Sequence, residues 1–423
     1  MTPVYHATVL SNFARGFDKY ARVYDKARIR ESKHPSETYV LFERELAVGA
    51  RKARTLCDRL AIAGDVPIAL ASSIDERELE PNTRTGLGRV VRGTRLSLDG
   101  VRELDGDSLG APISLEDAMA RSLALHERAF VPFRELRPRS ISFLPIARGC
   151  QAACAFCFST ASVSSDQMHG AFSLDTASRW LDDAAARGAE RAVITGGGEP
   201  TLLRWSQLLA LVRACRERFA KVVLITNGLV LAREPSRAAE LADAGLGVLA
   251  VSRHHHDEAR NAELMKLATG TPAVVEAAAR AGLRVRLVCV LQRTGIGDAD
   301  AIDAYVRWAS ALGADEVCFK ELYVSTSRES VYHSSAANEH SARNQVPLAN
   351  VLAWAARAGF AETMQLPWGA PVFDGRVGGR ALRVAAYTEP SLFWERVHGI
   401  ARSWNVMADG TCLASLEDRQ SAL

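Results

Sequence analysis

Residues 192–228 read AVITGGGEPTLLRWSQLLALVRACRERFAKVVLITNG. A short β-rich run, AVIT, is stopped by glycines. An amphipathic stretch at 204–219 follows, with the length and spacing of a helix. VVLITNG, 222–228, is a continuous apolar run that ends in Asn-Gly. Strand, helix and fully apolar strand in that order make one parallel β-α-β unit, because a strand buried on both faces by crossover helices has no polar side to show.

The same grammar extends in both directions. Upstream, SISFLPI (140–146) is a strand, and 173–187 is a helix with Ser173 as N-cap and Gly188 as its stop. In this helix Leu174, Ala177, Trp180, Leu181 and Ala184 share a face. Downstream come a short helix at 235–244 and a strand at 247–253. Helices at 257–267 and 272–281 follow, then a strand at 283–291, a helix at 299–312 and a sixth strand at 315–324. Six strands alternating with helices, which supply the crossovers that parallel pairing requires, give a parallel sheet wrapped by helices.

The flanks carry less signal. Residues 15–60 read as mainly helical, with 12 Lys/Arg against 7 Asp/Glu. Residues 66–112 read as short strands and turns, 115–130 as helix, 347–360 as helix, and 403–415 as a hairpin around Asp409-Gly410. The expected division is an N-terminal helical/mixed region (1–137) that binds substrate or partner, a core (138–325), and a C-terminal extension (326–423) that closes the barrel.

Composition excludes several classes. The chain has 423 residues, 48% hydrophobic and 24% charged, with a net charge of +3, so nothing in the bulk charge calls for nucleic acid or an anionic membrane. No window resembles a membrane span and the N-terminus has no apolar signal stretch, which leads to the expectation of a cytoplasmic protein. Eight Cys are too few for a disulfide scaffold. They fall at 57, 150, 154, 157, 215, 289, 318 and 412, and three crowd into RGCQAACAFCFS, 148–159. A structural zinc site wants four protein ligands. Three close thiolates without a fourth suit an iron–sulfur cube with one iron left open.

Cys150, Cys154 and Cys157, with Phe156 before the third, form CxxxCxFC. In this the chain resembles the radical S-adenosylmethionine (SAM) superfamily over roughly 138–325. The resemblance implies an α/β fold, an open partial (βα)6 TIM-like barrel. It also implies a [4Fe–4S] cluster on the three cysteines, whose fourth iron is chelated by the amino and carboxylate groups of SAM. Reductive cleavage then gives methionine and a 5′-deoxyadenosyl radical that abstracts hydrogen from a substrate. A reductant such as flavodoxin or ferredoxin is the implied electron donor.

Further site residues follow from the resemblance. Gly197, Gly198, Glu199 and Pro200 correspond to the GGE element that binds the SAM amino group, about 40 residues after the cysteines as in that superfamily. Asn227 ends the third strand in TNG; a plain Asn-Gly turn is the other reading. SRHHHDEARN, 252–261, resembles the SxHxxxDExR-type segment of the RNA adenine methyltransferases, with Ser252, His254 and Arg260 at the comparable positions. The triple His also admits a metal reading, although adjacent side chains diverge. Gln292 ends the fifth strand as a SAM contact.

On the sixth strand, alternation puts either Glu321 and Tyr323 or Lys320 on the lumen face. Glu321 and Tyr323 are the choice made on sequence, as substrate or ribose contacts. Cys289 and Cys318 are candidate lumen thiols, with Cys289 the candidate hydrogen donor. Neither flank has enough Cys for a second cluster. Residues 1–130 lack the strand–helix alternation and Gly pattern of a cobalamin domain. The expected reaction is dehydrogenation, epimerisation or rearrangement of a small molecule. Modification of a peptide or protein, then of RNA, and last a non-catalytic iron–sulfur protein, are the alternatives.

Overall fold

A computed structural model describes residues 132–423 apart from 167–171, 325–330, 333, 347, 368–369, 390–394 and 396–398, together with the backbone of short strand segments before residue 114. The helices expected within 15–60 and at 115–130 lie outside the described residues. One segment departs from the helical reading of 15–60. Thr38–Leu41 is a strand, paired in parallel with Val4–Tyr5 and with Ile68–Leu70. Its sequence, TYVL, is aromatic and β-branched, which suits a pleated surface.

All six core strands form. They are β1 (Ile141–Leu144), β2 (Ala192–Ile194), β3 (Val222–Thr226), β4 (Val248–Ser252), β5 (Arg284–Leu291) and β6 (Glu316–Glu321). Each pairs in parallel with the next. The helices between them are α1 (Leu174–Ala186), α2 (Trp205–Arg218), α3 (Leu229–Arg233), α4 (Arg237–Asp243), α5 (Glu258–Met265), α6 (Thr271–Arg280) and α7 (Ala299–Leu312). Local chemistry sets their ends. Ser173, Asp257 and Asp298 each accept a backbone N–H of the first turn, and Gly313, at φ +105°, ends α7.

The C-terminal part adds two short helices, α8 (Ala336–Asn344) and α9 (Ala349–Arg357), and then lengthens the sheet at both edges. Strands β7 (Ala361–Gln365), β8 (Pro371–Val377) and β9 (Arg380–Tyr387) extend it beyond β6, with β9 parallel to β6. Strands β10 (Trp404–Met407) and β11 (Cys412–Leu413) extend it beyond β1, with β10 parallel to β1. The result is an 11-stranded sheet in the order β7-β8-β9-β6-β5-β4-β3-β2-β1-β10-β11. The β10–β11 pair is the expected hairpin around Asp409-Gly410.

The two faces of the barrel sheet differ sharply. Outward-pointing Phe143, Ile194, Leu224, Leu249, Leu287, Phe319 and Val384 join one continuous core with the helices. Inward positions of β2–β5 carry a small apolar patch, Val193, Val223, Ile225, Val248, Ala250 and Val288. Charged and polar side chains surround that patch. The inner face is therefore a lumen, and its polar lining is where ligand chemistry belongs.

Candidate functional site

The cysteines follow β1 in a loop clamped to the end of β2. The Gly198 N–H donates to the Ile146 carbonyl at 2.9 Å, and the Glu199 N–H donates to the Gly149 carbonyl at 2.8 Å. The approach demands glycine: a Cβ on Gly198 would lie 2.0 Å from the Gly149 oxygen. On the other side the Ala153 N–H donates to the Met265 carbonyl at 2.9 Å, which ties the loop to the end of α5.

Cys150 Sγ accepts from the Ala152 N–H at 3.4 Å and from Asn227 Nδ2 at 3.7 Å. The Cys154 thiol is pushed up to about 12, first by burial and then by Cys157 and Cys150. Three close thiols on one loop, with N–H donors already aimed at a sulfur, are a donor set that fits a cationic iron–sulfur group, which takes them as thiolates. Among the described residues, no three His, Cys, Asp or Glu side chains surround a common point as a single ion would require. A cube spreads its three thiolates over three irons instead.

Glu199 is the buried anchor of this corner. Its carboxylate accepts from the Thr201 N–H (3.1 Å) and hydroxyl (2.7 Å), from the Thr226 hydroxyl (2.6 Å) and from the Asn227 N–H (2.8 Å). It thus locks the end of β2 to the end of β3 instead of reaching outward, and Pro200 is buried beside it as the first residue of a single 3-10 turn. Gly197 and Gly198 supply backbone edges beside the cysteine loop.

Asn227 is more than a turn residue. Its Nδ2 also donates to Gln151 Oε1 at 2.9 Å, and its Oδ1 accepts from the Leu229 N–H at 2.9 Å. The turn itself needs Gly228, at φ +81°. Neither Gln151 nor Thr201 was singled out from the sequence, because nothing in their spacing marks them; Thr226 stands out there only as the first residue of TNG.

Ser252 ends β4, one register step beyond the Thr226–Val251 pair, which places it beside Asn227. His254 follows and is buried. Its Nδ1 accepts from the Val290 N–H at 3.1 Å and its own N–H donates to Asn261 Oδ1 at 2.8 Å. Burial, helped by Arg253, drops its pKa to about 3, so the ring is neutral with the proton on Nε2. Phe156, from the cysteine motif, packs edge-on against it at 5.0 Å.

The rest of the HHH segment is structural. Buried Arg253 donates to the His255 and His256 carbonyls at 2.6 and 2.9 Å and pairs with Glu258. Arg260, matched on sequence to the SxHxxxDExR-type segment, is half-exposed. It is engaged by Glu263 and by the Thr294 carbonyl at 2.8 Å. At the end of β5, Gln292 is fully buried, and its Nε2 has no partner among the described residues. An orphaned amide donor at a strand end is what a bound ligand would satisfy.

The face assignment on β6 reverses the sequence expectation. Phe319 lies in the outer core, so Cys318 and Lys320 take the lumen face. Glu321 is on the outer side, where its carboxylate accepts from Gln345 Nε2 at 2.7 Å. Cys289 likewise belongs to the outer core, and its Sγ lies 3.7 Å from the His254 carbonyl. The error came from choosing the tyrosine-bearing face as polar; the apolar Phe319 settles the parity. Tyr323 lies just past the strand, edge-on to Phe158 at 5.5 Å and near Tyr332, so it does meet the segment after Cys157. His340, on α8, is a residue the sequence reading missed; it sits 6.2 Å from Phe156, and its buried Nε2 has no partner among the described residues.

Residues 144–303 match the family model of the radical SAM superfamily. This segment is a radical SAM domain. Its cofactors are a [4Fe–4S] cluster and SAM. Several solved structures are similar to the chain. Streptococcus suis SuiB bound to S-adenosylmethionine shares 17% identity at TM-score 0.44, over 75% of this chain and 69% of that one. Coproporphyrinogen III oxidase (HemN) from Escherichia coli shares 16% identity at TM-score 0.34, over 56% of each chain. Native anSMEcpe with bound AdoMet shares 17% identity at TM-score 0.34, over 43% of this chain, which spans 50% of anSMEcpe's length. No curated protein matches the chain. No helix among the described residues is long and apolar enough to cross a membrane.

Proposed function

We propose that this radical SAM domain cleaves SAM reductively at a single [4Fe–4S] cluster held by Cys150, Cys154 and Cys157, and that the resulting radical takes hydrogen from a small molecule in the lumen. The observation that carries this is the clamp between the cysteine loop and Gly197–Glu199, with Asn227 donating to the Cys150 sulfur. The cluster, when bound, supplies the electron that breaks the S–C5′ bond.

The chain's own residues do the rest. Gly197 and Gly198 offer backbone edges to the methionine end of SAM, and Glu199 holds them rigid from beneath. Asn227 and Ser252, side by side on β3 and β4, offer polar side chains along the SAM path. Phe156 and neutral His254 wall one side, and because His254 is uncharged it neither repels a sulfonium nor titrates near neutral pH. Gln292 supplies a free amide donor at the next strand end. Glu321, Arg260 and Cys289 have no part in this site, since each is committed elsewhere.

The test is direct. Anaerobically reconstituted protein binds about four irons per chain and, on reduction with SAM, forms 5′-deoxyadenosine and methionine. Iron binding without any 5′-deoxyadenosine contradicts the proposal.

A further inference from the structure

Among the described residues, the charges of the lumen do not balance. Six of its cations are Arg191 and Lys221 at the starts of β2 and β3, Arg284 and Arg286 on β5, Lys320 on β6, and Arg402 just before β10. Among the described residues, two carboxylates pair with four of them. Glu316 takes Arg284 at 3.5 Å and Arg286 at 2.5 Å. Glu389 takes Lys320 at 2.5 Å and Arg402. A seventh, Arg383, is matched by Asp374 at 2.8 Å. Glu395 adds no dependable charge, because burial pushes its carboxyl well above the usual range.

Arg191 and Lys221 have no carboxylate within ion-pair distance among the described residues, although both are partly buried and burial lowers both. These groups share one space. Arg191 feels Tyr387 and Arg286 across the lumen besides its chain neighbour Glu190, Lys221 feels Arg286, Glu316 and Arg191, and Lys320, which burial lowers to about 8, feels Arg402 and Cys318. The Lys320 side chain keeps 36% of its surface accessible although it stands on an interior strand, and its ammonium lies 5.5 Å above the Tyr387 ring. It therefore faces open lumen.

Positive charge left uncompensated in a low-dielectric space is costly unless a counter-charge arrives. We infer that the lumen is an oxyanion site, and that the substrate carries a carboxylate or phosphate group that docks against Lys320, with Arg402, Arg191 and Lys221 supplying the surrounding field. Lys320 suits the role as a compact cation with rotatable donors, whose one carboxylate partner is shared with a second cation. The word substrate rests on the function proposed above; anion binding does not, because it needs neither the cluster nor SAM.

The experiment uses the full chain, reconstituted, at constant ionic strength held with chloride. Inorganic phosphate and succinate are titrated separately while acylation of Lys320 is followed by peptide mass spectrometry. At an anion concentration ten times its Kd, acylation of Lys320 slows about ten-fold. Protection by phosphate alone assigns a phosphate group, and protection by succinate alone a carboxylate. The anion also raises the Tm of the native chain and of Arg260→Met, but not that of Lys320→Met. If neither anion protects more than chloride does, or if the Tm rise persists in both Lys320→Met and Lys221→Met, the inference is wrong. Loss of 5′-deoxyadenosine formation with anion protection intact would count against the SAM reading alone.

Discussion

On β6, Phe319 and Glu321 point out to the helices while Cys318 and Lys320 point into the lumen. On neighbouring β5, Cys289 belongs to the outer core and Val288 to the inner patch. The same two strands thus carry an apolar, helix-covered face and a polar, cavity-lining face, with a thiol on each side. The outer face holds the barrel together by burial, which is large and tolerant of exchange among apolar residues. The inner face contributes little to that core and instead holds charge where a ligand can meet it. Residues one position apart therefore differ in what their loss would do.

The sharpest way to break this comparison is a pair of substitutions on β6. Phe319→Ala opens a cavity in the outer core and costs about 3–5 kcal/mol, read as a lowered denaturation midpoint. Lys320→Met removes an inner-face charge of similar length and changes the midpoint little. Equal losses would mean that the two faces are not divided as described.

Glu199→Ala is next in size. It strands four donors at a buried corner and costs about 2–4 kcal/mol. Circular dichroism melting checks the stability, and the reconstituted variant is expected to retain less iron, because the corner that holds the cysteine loop loosens.

A smaller effect is confined to acid. His254 stays neutral in the fold down to about 3, whereas an unfolded histidine takes its proton near 6.5. Between those values the unfolded chain binds more protons, so this residue's contribution to stability is present above pH 6.5 and is lost as the pH falls. Tm should drop less between pH 7 and 5 in His254→Gln than in the native chain. An identical drop would place the histidine elsewhere.

The smallest effect is kinetic. Cys318 is partly accessible and Cys289 fully buried, so in the native fold Cys318 reacts with a small alkylating reagent while Cys289 stays unmodified. Peptide mapping reads the two separately.

Much of the core was readable because its signals are local. Apolar runs closed by glycine marked β2 and β3, and Ser173 and Gly188 marked α1. Cysteine spacing marked the loop. What was missed depends on neighbours distant in sequence. The parity of β6 could not be settled from KEL alone, since only the packing of Phe319 against Tyr305 shows which face is dry. The roles of Glu199 and Arg260 depend on Thr226 and Thr294, brought near only by the fold. Strands β7–β9 did carry a signal that was passed over: Gly378-Gly379, both at positive φ, is a two-residue hairpin turn between Val377 and Arg380. Helix α8 hid in a polar segment, although Ser335 caps it by accepting from the Asn338 N–H at 3.0 Å.

The central claim separates one group of cysteines from the rest, and a single panel tests it. Cys150→Ser, Cys154→Ser and Cys157→Ser are compared with Cys57→Ser, Cys215→Ser, Cys289→Ser, Cys318→Ser and Cys412→Ser for iron bound after anaerobic reconstitution and 5′-deoxyadenosine formed on reduction with SAM. The account predicts that each of the first three loses both, and that each of the other five, where it folds, keeps both. Cluster and SAM cleavage retained in any of the first three would contradict it.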